Sequence, residues 1–405
     1  MLSFFGGFVK PSLSFTFVKT AQLFPKSFMP EHLPLQKKRI LGLDLMRAVA
    51  IVMVVFHHGF SLFDFPFPPI PDGVDIFFVL SGFLIGGILI KTMEKQKGFS
   101  WAALKIFWFR RWFRTIPAFW FTLLLNLLLY FFINLQNFSV KDTLKLMFLK
   151  EKLWQYFFFL QNLTSNMISR FFPETWSLSV EEWFYLSLPI ILFFSLKSSL
   201  KPQKAILLSI LIIIILPTLA RYCFSDIHLR WNWLSTRMVV VMRLDGIGLG
   251  VLMAYIKYYK PVFWEKLASL KILIYLGIFI FYASFYIIHE NYYYFNSYTI
   301  TNLTFYTFTS IGVMITIPPL SKMPSNNSPF DRAVTFTSLI SYSMYLINGT
   351  FILTIIQQIL PPNVSEFGKF ISCIIFWLST FLIGNLMYKY IEQPFMKLRD
   401  KHFLD

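Results

Sequence analysis

An arginine and a histidine bracket one almost unbroken apolar stretch, "RAVAIVMVVFHHGF" at residues 47–60. A guanidinium is suited to holding phosphate, and an imidazole can move a proton near neutral pH. Arg47 and His58 are eleven residues apart. On a helix they end about 20° apart around the axis and about 16 Å apart along it. Asp44 falls on the same stripe, whereas His57 is rotated away from Arg47 by roughly 80°. Taken singly, Arg47 reads as a snorkelling interfacial anchor and His58 as an imidazole capped by a neighbouring helix. Their shared stripe reads instead as a polar seam with a phosphate-binding end and a proton-accepting end.

Three further polar islands interrupt apolar sequence. In "PETWSLSVEEWFYLSLP", residues 173–189, Glu181 offers a carboxylate that would raise the basicity of an imidazole, and Glu182 is expected to stay hydrated at the interface. "RLDGIGLG", residues 243–250, carries Arg243 and Asp245. Two residues apart on a helix, they cannot face each other, so each needs a partner on another helix. A structural interhelical ion pair is the alternative to a catalytic role. "FWFRRWFRTIPAFW" places Arg110, Arg111 and Arg114 ahead of an apolar span, where they could clamp a polyphosphate together with Arg47 or simply set topology. No grouping of His, Cys and carboxylates has metal-ligand spacing, so no metal is expected. Cys223 and Cys373 stand far apart in apolar runs.

The elements that must carry these groups follow from composition. Of 405 residues 56% are hydrophobic and 14% charged, which points to lipid as the solvent. About ten spans of roughly 17–25 residues fit at 43–62, 74–92, 113–134, 180–196, 204–222, 238–256, 271–289, 298–319, 335–359 and 369–390. The expected fold is therefore all-α, a polytopic membrane protein. Lys and Arg crowd the amino-terminal tail, 91–114, 197–204, 257–271, 322–332 and the tail from 389, which all fall on one side of the spans. That asymmetry places both termini in the cytoplasm. The net charge of +17 is thus a topology signal, and no nucleic acid is expected. Residues 1–40 read as a basic cytoplasmic tail, 41–398 as the membrane domain and 399–405 as a short cytoplasmic tail. In the long connection, residues 139–163 read as an interfacial helix.

Seven stretches together resemble one family: "LDLMRAVAIVMVVFHHGF", "GVDIFFVLSGFLIG", "FRRWFRTIPAFW", "ETWSLSVEEWFYLSLP", "RLDGIGLGVLMA", "SYSMYLIN" and "YIEQPFMKL", in order along 41–398. The chain is similar to the acyltransferase-3 family of integral-membrane acyltransferases. The resemblance implies transfer of an acyl group, usually acetyl, from cytoplasmic acyl-coenzyme A to a hydroxyl of a carbohydrate or glycolipid at the outer face of the cell membrane. It also implies that the family's functional Arg and His fall on Arg47 and His58, its carboxylate on Glu181, and its Arg-x-Asp pair on Arg243 and Asp245. Many members carry histidine where Asn348 stands.

The joint expectation is that Arg47, Arg111 and Arg114 bind the donor's phosphates. His58, supported by Glu181 or Asp245, would deprotonate the acceptor, with Arg243 or Trp and Tyr donors at the oxyanion. A transporter or flippase that uses the same charges as a substrate path is the alternative.

Overall fold

The computed structural model describes residues 39–62, 71, 73–96, 100–136, 138–147, 152–163, 171–198, 200–225, 237–294, 300–360 and 364–403. The basic tail before Arg39 and the last two residues lie outside them. Among the described residues every regular element is helical. The principal helices are α1 (Leu41–Gly59), α2 (Val74–Lys95), α3 (Trp101–Leu135), α4 (Val140–Lys145), α5 (Trp154–Phe157), α6 (Thr175–Lys197), α7 (Pro202–Ser225), α8 (Leu244–Tyr259), α9 (Pro261–Ser269), α10 (Ile272–Tyr294), α11 (Ile300–Leu320), α12 (Pro329–Ile347), α13 (Thr354–Ile359), α14 (Glu366–Met387) and α15 (Gln393–Phe403).

Among the described residues, seven helices are long and apolar enough to cross a membrane, or eight if the α9–α10 pair, bent by 81°, is one span. Each of the ten expected spans overlaps a helix. The shortfall in length has a local cause at α8: it covers only 16 residues, because the 3₁₀ turn Val240–Met242 precedes it. The expected interfacial helix at 139–163 is instead two short helices, α4 and α5, among the described residues. Gln161 and Asn162 then tie the connection down. Gln161 donates to Ser179 Oγ at 2.7 Å, and Asn162 donates to the carbonyls of Trp176 at 2.9 Å and Met238 at 2.6 Å.

Local sequence sets the helix starts. Ser100 accepts the Ala103 N–H at 3.2 Å, and Ser328 accepts the Asp331 N–H at 3.1 Å with Pro329 in the first turn, the preferred chemistry at helix amino termini. α2 and α8 approach each other closely. A Cβ on Gly82 would lie 1.9 Å from the Ile247 carbonyl oxygen, and one on Gly250 would lie 2.0 Å from that of Val79. Backbone therefore meets backbone there, as small residues allow between membrane helices. α1 packs on α12, α7 on α8, and α10 on α11.

Candidate active site

Two buried ion pairs lie beside the α2–α8 contact. Arg243, fully buried, pairs with Asp75 at the start of α2, and its guanidinium lies 4.3 Å from the centroid of Tyr306. Asp245, also fully buried, accepts from Arg221 of α7 at 2.9 Å and from Thr307 Oγ at 2.6 Å. The two residues thus find partners on different helices, and those partners are Asp75 and Arg221 rather than His58. Arg243 also packs 5.6 Å from the centroid of Phe78, and Phe78 lines the main cavity.

That cavity, of about 760 Å³, runs along α2 from Val74 to Lys91, about 26 Å of helix. Among the described residues, five cations (Arg47, Lys91, Arg111, Arg114 and Lys257) and one carboxylate, Glu181, line it. Arg111 and Arg114 share one face of α3 because they are three residues apart, while Arg110 is exposed and does not line the cavity. Arg47 lies within electrostatic reach of Arg114 and Arg111. Neither Arg47 nor Arg114 makes a hydrogen bond or salt bridge among the described residues. The Nε of Arg111 is buried without a hydrogen-bond partner. Guanidiniums held together with donor capacity unused are the arrangement that phosphate oxygens satisfy.

Along the cavity a hydroxyl cluster joins Tyr185, Ser81 and Glu181, a grouping the sequence reading did not make. Tyr185 Oη lies 2.5 Å from Ser81 Oγ, accepts from Arg111 Nη2 at 2.9 Å and donates to Glu181 at 3.2 Å. Arg111 also stacks over the Tyr185 ring at 4.4 Å. The spacing Glu181 to Tyr185, one helical turn, was the available clue. Glu181 therefore faces Arg111 through Tyr185 and not His58. Its neighbour departs from expectation more sharply. Glu182 is not hydrated at an interface: its Oε2 is buried without a partner, because α6 begins at Thr175 and carries the pair almost two turns into the bundle.

His58 is not among the residues lining the cavity. It faces the segment that follows α12. There the helix widens into a π segment, Asn348–Leu353, which disturbs the usual i→i−4 pairing. The Asn348 amide covers the carbonyls of Met344 at 2.8 Å and Tyr345 at 2.9 Å. With its NH₂ group so engaged, its Oδ1 is presented to His58 Nδ1 at 2.5 Å. An amide oxygen can only accept, so the neutral imidazole carries its proton on Nδ1 and its lone pair on Nε2. Tyr345, whose carbonyl holds this amide, lines the cavity. Its hydroxyl bonds Ser177 at 2.5 Å and donates to the Glu174 carbonyl at 2.8 Å. Asp44, on the stripe of His58, is taken up by Arg39 and by Ser338 at 2.8 Å. Buried Glu392 accepts from Ser343 at 3.0 Å and lies within electrostatic reach of Arg114 and Arg47.

The sequence profile of the acyltransferase domain family matches residues 40–388 of this chain. The chain belongs to that family. It is 26% identical over 406 aligned positions to the O-acetyltransferase OatA of Staphylococcus aureus (strain NCTC 8325), covering 93% of this chain and 59% of the relative. It is 33% identical over 171 residues to the peptidoglycan O-acetyltransferase OatA of Listeria monocytogenes, covering 41% of this chain and 26% of the relative. A putative O-acetyltransferase of Staphylococcus aureus (strain COL) is 27% identical, covering 88% and 57%. The chain thus spans well under two thirds of the length of these relatives. No solved structure is significantly similar to it.

Proposed function

We propose that this chain is a multi-pass acyltransferase of the cell membrane, with about ten spans and both termini cytoplasmic. On this reading it moves an acyl group, acetyl in the first instance, from acyl-coenzyme A to a hydroxyl of a cell-surface carbohydrate or glycolipid. The observation that carries this is the cavity lined by Arg47, Arg111 and Arg114, together with the His58–Asn348 pair outside its lining. Membership of the acyltransferase family and the O-acetyltransferase relatives support it. Arg47, Arg111 and Arg114 would hold the donor's diphosphate, and the length of the cavity suits an extended thin arm.

His58 Nε2 takes the proton of the acceptor hydroxyl as its oxygen attacks the thioester carbonyl. A C–O bond forms, the C–S bond breaks, and the thiolate leaves with the electron pair. Glu181 acts on Arg111 through Tyr185, and Arg243 and Asp245 hold α2, α7 and α8 in register through their ion pairs.

The test is free-thiol release from acetyl-coenzyme A by the reconstituted protein with candidate glycans, for wild type and His58→Ala. Release that depends on His58 is expected. Equal release from both, above a protein-free control, removes His58 from the reaction. Movement of a glycan across the bilayer without thioester consumption would favour transport.

A further inference from the structure

The arginine cluster accounts for only part of the positive charge in the cavity. At the end of α2 beyond it, Lys91 and Lys257 also line the wall and lie within electrostatic reach of each other. Neither forms an ion pair among the described residues. The nearby carboxylate Glu265 is engaged by Lys322, and Glu94 accepts from Tyr259. The ammonium of Lys257 lies 5.4 Å from the ring centroid of Phe83 and 5.2 Å from that of Trp264, two rings stacked nearly parallel at 7°. Both rings are buried. This lysine is therefore turned over the cavity wall, whereas a lysine serving lipid would extend outward.

One turn before Lys91, Gly87 lines the same wall, and a Cβ there would meet nothing within 4 Å. Tyr258 lines it as well. Two neighbouring cations beside an open space and an aromatic ring match a purine ribonucleotide with a phosphate on its ribose.

We propose that Lys91 and Lys257 form a second anion subsite that takes the ribose 3′-phosphate of the donor, with its adenine lodged between Gly87 and Tyr258. This rests on the acyl-coenzyme A reading, with the diphosphate at Arg47, Arg111 and Arg114. Two separate cation groups then read two separate phosphate groups of one molecule, and an acyl donor without the 3′-phosphate is discriminated against.

The test uses the full chain in phosphatidylcholine nanodiscs, titrated with adenosine 3′,5′-bisphosphate and adenosine 5′-monophosphate. The wild type is expected to bind the bisphosphate about ten-fold more tightly, the least that a charge-assisted contact provides. In the K91Q/K257Q double variant the preference should fall toward one. Equal affinity for the two nucleotides in the wild type overturns the subsite, as does an unchanged preference in the double variant. So does a preference that appears only when phosphatidylglycerol is added, which would mark a lipid phosphate site. Thiol release from acetyl-coenzyme A, measured in parallel, reports on the donor reading alone. Bisphosphate preference without release defeats that reading, and release without the preference defeats the subsite.

Discussion

His58 Nδ1 and Asn348 Oδ1 lie 2.5 Å apart, and the Asn348 amide nitrogen is held by two backbone carbonyls. Replacing Asn348 by Ala removes the acceptor that holds the proton on Nδ1. We expect kcat to fall about 100-fold, within the range that general-base catalysis supplies, while the donor KM moves less than about two-fold because Asn348 does not line the cavity that holds the arginines. Steady-state thiol release checks this, and wild-type kcat in Asn348→Ala would remove the tautomer argument.

Arg47→Ala should act in the opposite way. Loss of a charge-assisted phosphate contact costs about 1.5–3 kcal/mol, so the donor KM should rise at least about ten-fold with a smaller change in kcat. Lysine at this position restores charge but not the two-pronged contact, and should recover only part of the affinity. A KM unchanged in both variants would separate Arg47 from the donor.

The Arg221–Asp245 pair is fully buried. Removing one partner strands a charge, at a cost of about 3–5 kcal/mol, whereas replacing both by apolar residues is far milder. Asp245→Ala should therefore lower the melting temperature in detergent more than the double variant R221M/D245L. If the double variant melts below the single one, the pair contributes net stability beyond mutual compensation.

Glycines separate into two classes by what surrounds them. Gly82→Ala drives a methyl into the Ile247 carbonyl and should destabilise by about 1–3 kcal/mol, the usual penalty for overpacking. Gly87→Ala meets nothing and should leave the melting temperature near that of the wild type. Thermal unfolding of the two variants side by side settles the contrast.

The helical class and the positions of the long apolar helices were legible because lipid imposes length and apolarity on contiguous sequence. So was the co-location of Arg111 and Arg114, which a three-residue spacing dictates. Partnerships between helices were not. Nothing in the periodicity around Arg243 and Asp245 names Asp75 and Arg221, and the shared azimuth of Arg47 and His58 did not show that the first faces a cavity while the second faces Asn348. The π segment that aims Asn348 leaves no compositional trace, since Asn-Gly-Thr reads as a turn by the same rules. Glu182 was misplaced for a simpler reason: α6 begins five residues earlier than the span drawn from hydropathy, so both glutamates sit deeper than a helix mouth.

The glycine seam at Gly82 and Gly250 also says which wall can yield. With main chains touching, α2 and α8 behave as one stiff beam that can neither slide nor roll without atomic overlap. Any widening of the cavity must therefore come from its other walls, among them the side built on Tyr342 and Tyr345.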